Sequence, residues 1–354
     1  MTAAEPPEHV ESAEAGNSAV GSAASPEEPG TGHHNGRPPG KAPPPCPQST
    51  LSLKCWYITW CATLGCLARI GSDKIFSDVV KVETPFPPFD PSFLSNTAGS
   101  FLLGALSSSA LTEDTIPGLY TGLTTGFCGS FTTFSSWNLS KAKLVTDELS
   151  LEAQNDVATA LLSMVVSVAF FAACFVAGSD LGPLASAGKR CGCCHRQSSA
   201  KAAVVPGIAG FVATYLSMIF LLLIDGLSSE ERRGHWLAGL FAPFGALTRF
   251  FLGRWLNGRW RGGRFPWGTF AANLLGSIVL AVIIFLDIPP ETGLGSSLFA
   301  GITTGFISSL TTMSTFAGEV VSLRVKHGLR HSYAYLAATL VCDQATASLI
   351  GAVS

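Results

Sequence analysis

Three sequence patterns in the first half of this chain recur, in the same order, in its second half. "LGCLARI", ending at Ile70, answers "FGALTRF", ending at Phe250; "SNTAGSFLLGA" (95–105) answers "ANLLGSIVLA" (272–281); "GLTTGFCGSFTTFSSW" (122–137) answers "GITTGFISSLTTMSTF" (301–316). Order and spacing are both kept, so the chain carries an internal duplication, and whatever architecture one copy adopts must also serve the other.

Both copies are apolar. Only 13% of the 354 residues are charged, where an ordinary soluble domain has about a quarter, and the mean hydropathy is +0.37. A bilayer core about 30 Å thick needs roughly 20 apolar residues per helix. Nine stretches meet that need, near residues 55–72, 91–111, 115–138, 157–179, 204–225, 235–253, 266–287, 295–318 and 332–352. Four lie in each copy; the stretch at 204–225 has no counterpart and stands between them. An odd number of crossings between the copies turns the second upside down relative to the first. The expected fold is an all-α integral membrane protein with nine transmembrane helices. Two inverted four-helix repeats, 54–180 and 233–354, are joined through a loop and linker helix within 181–232. Residues 1–53 are rich in Pro, Gly, Ala and Glu and poor in aromatic and branched residues, the composition of a disordered tail with no apolar signal-peptide core. Lys and Arg gather on the side of that tail (Lys54, Lys189, Arg190, Arg254, Arg259, Arg324, Lys326 among them), which places the N-terminus in the cytoplasm and the C-terminus outside.

The third span of each copy reads TTGF-x-x-S-x-TT-x-S. Inside hydrocarbon every backbone polar group needs a partner. Gly, Ser and Thr at such density either let helices pack closely or mark a helix broken at the midplane. Carbonyls freed there can hold a cation, while amides and hydroxyls face an anion. Recurrence of the hydroxyls in both copies favours the broken helix.

An Arg near the end of the first helix, N-x-x-G-S in the second and the TTGF segment in the third together resemble the small fluoride channels called Fluc or CrcB. The fused arrangement of four helices, one linker and four helices resembles their eukaryotic form, the FEX fluoride exporters. The resemblance covers about residues 54–352. It implies a central structural Na⁺ held by main-chain carbonyls of Gly129 and Thr132 from one copy and Ser308 and Thr311 from the other, Ser308 standing where the family has Gly. It also implies aromatic pore residues at Phe134 and Trp137, answered by Met313 and Phe316. One path would then keep Phe134 with Phe316, and the other would receive Met313 with Trp137. Donors that replace the water of fluoride would be Asn96, Asn273, Ser100, Ser277, Thr133 and Thr312, with Ser163, Ser167 and Thr339 extending a polar track in the fourth helices. The buried Asn residues have a plainer reading as ties between helices.

Arg69 and Arg249 would stand in vestibules, either attracting anions or anchoring their helices. Asp343 has no counterpart in the first copy; protonated, paired or facing an unused side are all open to it. The "CGCCH" at 191–195 lacks the paired spacing of a zinc site and suits lipidated or plain reduced thiols. No phosphate-binding loop or catalytic constellation marks an enzyme. No basic stripe with interleaved aromatics marks a nucleic-acid binder. The expected function is passive fluoride export across the plasma membrane by a single chain that contains its own pseudo-dimer, its partners being fluoride and the lipid bilayer. The alternative is an inverted-repeat secondary transporter of another small solute, coupled to protons through Asp343.

Overall fold

A computed structural model of the chain describes residues 51–80, 89–146, 154–187, 200–257, 263–288 and 292–353. The tail before residue 51 and the "CGCCH" loop lie outside the described residues. All regular structure among the described residues is helical. The first copy folds as α1 (Leu51–Val80), α2 (Phe93–Ser108), a composite third helix, and α6 (Gln154–Ala187). The composite consists of α3 (Leu119–Thr121), a π-helical segment π1 (Gly122–Cys128), α4 (Gly129–Phe131) and, after a break, α5 (Ser135–Thr146). α7 (Ala200–Ile224) follows. The second copy repeats the order: α8 (Glu230–Leu256), α9 (Trp267–Phe285), then α10 (Gly293–Ala300), π2 (Gly301–Ile307), α11 (Ser308–Leu310) and α12 (Met313–His327), and last α13 (Leu329–Val353). α1 takes in Leu51 to Leu53, which the sequence reading leaves in the tail.

Among the described residues, six helical segments are long and apolar enough to cross a membrane: Val157–Leu184, Ala202–Ile224, Glu230–Leu256, Trp267–Phe285, the composite Gly293–His327, and Leu329–Val353. The first copy contributes only α6 to that set. α1 is long but diluted by Trp, Tyr, Thr and Arg69, and α2 has only 16 residues. The linker α7 packs against α1 and α8, with 11% of its apolar window buried, so most of its surface is left for lipid.

The packing crosses between copies. α1 lies on π1 and on α8, and α8 lies on π2. Beyond each break the partners exchange: α5 packs against α9 and α13 of the other copy, and α12 against α2 and α6. Close approach of the first helices to the π segments depends on glycines in both copies, Gly65 and Gly245 among them. A Cβ on Gly65 would stand 2.4 Å from the Phe127 carbonyl oxygen, and one on Gly245 would stand 2.1 Å from that of Phe306; no other residue fits there. The largest buried apolar cluster sits where the halves meet and includes Phe134, Trp137, Phe171, Met313, Phe316 and Tyr335.

Candidate functional site

Within the repeated segment the break in each third helix falls at the T-T pair, and TTGF before it forms the π turns. Thr132 (ψ 153°) and Thr311 (ψ 159°) leave the helix in extended conformation. An extended residue inside a buried helix strands backbone groups that must find partners elsewhere. Asn96 and Asn273 supply them. The Asn96 Oδ1 accepts from Thr133 N at 2.9 Å while its Nδ2 donates to Thr133 O at 3.1 Å. Asn273 makes the same pair with Thr312, at 2.9 and 3.3 Å. Each Asn therefore clamps one break from the second helix. The clamp also spends donors: Nδ2 of Asn96 bonds Ser92 Oγ as well, so both its hydrogens are used, whereas Nδ2 of Asn273 makes one bond among the described residues.

Two consequences follow for the carbonyls. In a continuous helix Thr133 N would bond Gly129 O, and Ser136 N would bond Thr132 O. Here Thr133 N turns to Asn96, and Ser136 N turns to Thr133 Oγ1 at 3.4 Å. In the second copy Thr312 N turns to Asn273, and Thr315 N to Thr312 Oγ1 at 3.4 Å. The main-chain oxygens of Gly129, Thr132, Ser308 and Thr311 thus all lose their helical N–H donors, that of Ser308 accepting instead from Thr311 Oγ1 at 3.3 Å. Four neutral oxygens at a buried crossing suit a hard cation of low charge, so the residues present fit the Na⁺ that the resemblance implies.

The side chains at the breaks reach across to the other copy. Thr132 Oγ1 lies 3.2 Å from Thr312 Oγ1 and 3.0 Å from Ser314 Oγ. Thr311 Oγ1 lies 3.5 Å from Thr133 Oγ1 and 3.0 Å from Ser135 Oγ. These are the hydroxyls repeated in the sequence, and their repetition produces a two-fold exchange of hydrogen bonds.

Arg69 and Arg249 are buried, 2% and 5% exposed, and so do not stand in open vestibules. Arg69 Nε donates to Ser130 O in its own copy at 3.2 Å, and its terminal nitrogen donates to Thr304 O of the other copy. Arg249 mirrors it, with Ser309 O at 3.1 Å and Thr125 O at 2.9 Å. Of the two roles open to them, these bonds fit anchoring: each guanidinium ties its own break to the π segment of the other half. They also bring two fixed positive charges within one residue of the carbonyl set.

The four expected pore residues are all fully buried. Phe134 and Phe316 meet edge to face, ring centres 5.4 Å apart and planes at 82°. Trp137 packs on Phe134 at 5.3 Å and donates from Nε1 to Ser167 Oγ. Met313 lies in the same cluster. The hydroxyls of Ser100 and Ser277 are buried, and neither has a hydrogen-bond partner among the described residues. Ser163 and Thr339 are buried and return their hydroxyls to their own helices, at Ala160 O and Tyr335 O.

Two ionisable residues just beyond the apolar windows were missed from sequence. Glu319 follows Phe316 by one turn and accepts from Thr269 Oγ1 and the Tyr335 hydroxyl, both at 2.7 Å. Lys141 follows Trp137 by one turn and pairs with Asp90 at 3.1 Å, 1% and 7% exposed. The periodic signal was available: each sits on the same face as the aromatic residue before it.

Fold and centre together define an internally duplicated helical membrane protein whose two interrupted helices cross at a polar midpoint. Comparison with known proteins narrows this. The family described as CrcB-like protein, Camphor Resistance (CrcB), matches twice, over residues 56–179 and 236–352. The chain belongs to that family. It is similar to fluoride export protein 1 of Neurospora crassa, 28% identical over 342 residues that cover 79% of this chain and 62% of that protein. Fluoride export protein 1 of Candida albicans is 28% identical over 249 residues, 66% of this chain and 61% of that protein. A fluoride-specific ion channel FluC of Syntrophotalea carbinolica is 37% identical over 115 residues, 32% of this chain and 88% of its own length. The chain thus spans about three fifths of the length of its fungal relatives and nearly all of the bacterial one. No solved structure matches.

Proposed function

We propose that this protein is a passive fluoride channel that exports F⁻ from the cytoplasm through the plasma membrane. The observation that carries the reading is the crossing itself, where two breaks exchange hydroxyls and place Phe134 against Phe316. The names of its fungal and bacterial relatives support it. Neutral HF enters from acid surroundings, dissociates at cytoplasmic pH and leaves F⁻ behind. The membrane potential then drives the anion out, at about 2.3 kcal/mol per charge for each 100 mV.

The topology proposed is nine membrane passes, two inverted repeats about α7, N-terminus cytoplasmic and C-terminus outside. Because each half supplies what a partner subunit would, a single chain suffices. Na⁺, when bound, supplies a fixed charge at the midplane; Gly129, Thr132, Ser308 and Thr311 would hold it through their main-chain oxygens. Around it the side chains of this chain do the selecting. A small anion must exchange its water for donors, and the buried Ser100 hydroxyl, without a partner among the described residues, and the second N–H of Asn273 are the donors proposed. The hydroxyls of Thr133 and Thr312 join the same polar line. Ring edges of Phe134 and Phe316 carry partial positive charge and flank the anion without binding it tightly. Arg69 and Arg249 hold the breaks open and raise the potential around them. The path of Phe134 and Phe316 conducts; that of Met313 and Trp137 does not.

The deciding measurement is efflux from liposomes holding the purified chain. A channel releases F⁻ down its gradient without a proton gradient and retains Cl⁻. Efflux that needs a proton gradient would instead indicate the coupled transporter, with Asp343 as its carboxylate. Preparation without Na⁺ should abolish F⁻ efflux.

A further inference from the structure

Away from the crossing, a second group of buried polar atoms has no use in the pathway just described. Asp343 on α13 is fully buried, and neither carboxylate oxygen has a hydrogen-bond partner among the described residues. Asn138 on α5 is fully buried as well. Its Nδ2 donates to the Asp343 main-chain oxygen at 3.2 Å, which fixes the amide and leaves Oδ1 without a partner. Ser277 on α9 is 2% exposed, and its hydroxyl faces the Asp343 carboxylate. The helices α5, α9 and α13 pack on one another in all three pairings, so the three side chains share one interior.

Charge leaves this group short of a positive partner. α9 carries no Lys or Arg. On α5, Lys141 is taken by Asp90, and Lys143 is exposed. Arg330 and His331 stand at the far end of α13, with Arg330 exposed. A buried carboxylate with no charge partner among the described residues costs several kcal/mol, and a neighbouring unpaired amide oxygen adds to that cost.

We infer that Asp343, Asn138 and Ser277 form a binding site for a desolvated monovalent cation of the Na⁺ type, separate from the carbonyl set at the crossing. Two carboxylate oxygens, one amide oxygen and one hydroxyl make an all-oxygen set with a single negative charge, the chemistry of a hard cation. One cation engages all four atoms at once. A proton would pair only two of them. The site links α5 of the first copy to α9 and α13 of the second, so its cation ties the halves together away from the midpoint. A cation here also bars that side of the second copy to anion traffic, which agrees with a single conducting path without depending on fluoride as the substrate.

The test is the number of Na⁺ bound per chain, by equilibrium dialysis of the purified full chain in detergent against radioactive Na⁺ in choline chloride at pH 8. Asp343→Asn should lower the count by one, and Na⁺ should raise the melting temperature of the unsubstituted chain by several degrees more than that of the variant. If the carbonyl site also binds, the counts are two and one; if it does not, they are one and zero. An equal count in chain and variant overturns the inference, whether the carboxyl is protonated or paired in some other way. Should Asp343→Asn fail to fold, Asn138→Leu carries the same test, because it removes a ligand and keeps the carboxylate.

Discussion

The two halves of this molecule agree where main chain is held and differ where side chains line space. Asn96 and Asn273 clamp the breaks with the same pair of bonds. Arg69 and Arg249 anchor the same carbonyls, and the hydroxyls at Thr132 and Thr311 cross in the same way. One turn beyond, the likeness ends. The first half has Phe134, Trp137 and the Lys141–Asp90 pair; the second has Met313, Phe316 and a Glu319 carboxylate held by Thr269 and Tyr335. Backbone satisfaction in hydrocarbon is an absolute demand on each half. The lining of a path is needed only once if one path suffices.

The shared part gives the largest expected effects. Asn96→Leu or Asn273→Leu leaves one buried N–H and one buried C=O unpaired, at ~1–3 kcal/mol each. Thermal unfolding in detergent should show both variants strongly and equally destabilised. Tolerance of one and not the other would mean that the clamps, alike in geometry, are not alike in weight. Lys141 comes next. Lys141→Met strands Asp90 and should cost ~3–5 kcal/mol, most of it recovered in the double variant with Asp90→Leu. Glu319→Gln, which keeps an acceptor for Thr269 or Tyr335, should cost ~1 kcal/mol. Equal losses at Lys141 and Glu319 would erase the contrast between the two ends.

The linings separate in transport rather than stability. Phe134→Ile removes a ring edge from the proposed conducting path and should slow fluoride efflux about a hundredfold, equivalent to ~2.7 kcal/mol. Met313→Ile should leave efflux within a factor of two or three. Equal losses would mean that both paths conduct.

Much of the shared part was legible because the residues repeat: Arg, N-x-x-G-S and the T-T pair stand at matching places in both copies. Their partners were not legible. Arg69 reaches a carbonyl of Thr304, 235 residues away, and a main-chain acceptor leaves no mark on the side-chain pattern. A helix-end position also suggests snorkelling to water, so the vestibule was the natural expectation for both Arg residues. The repeated cluster of Gly, Ser and Thr marked the segment that is broken but not the residue, because what breaks the helix is Thr133 and Thr312 being held by Asn from another helix, a tertiary effect. Glu319 and Lys141 escaped because the apolar windows ended at 318 and 138.

The smallest effect concerns how tightly the second and fourth helices meet. In the first half α2 and α6 touch through glycines: a Cβ on Gly104 would lie 2.0 Å from the Phe175 carbonyl oxygen, and one on Gly178 the same distance from that of Phe101. In the second half the place of Gly104 is taken by Ala281, which is fully buried. Contact this close in lipid rests on dispersion and small residues rather than on hydrophobicity. Gly178→Ala should therefore force α2 and α6 apart and cost ~1–3 kcal/mol by overpacking. Ala281→Gly should cost ~1 kcal/mol, the ordinary helix penalty, because nothing is waiting to close the space. If Ala281→Gly instead stabilised the chain, α9 and α13 would have been held off by that one methyl, and the two halves would differ here through a single substitution rather than through their different lining.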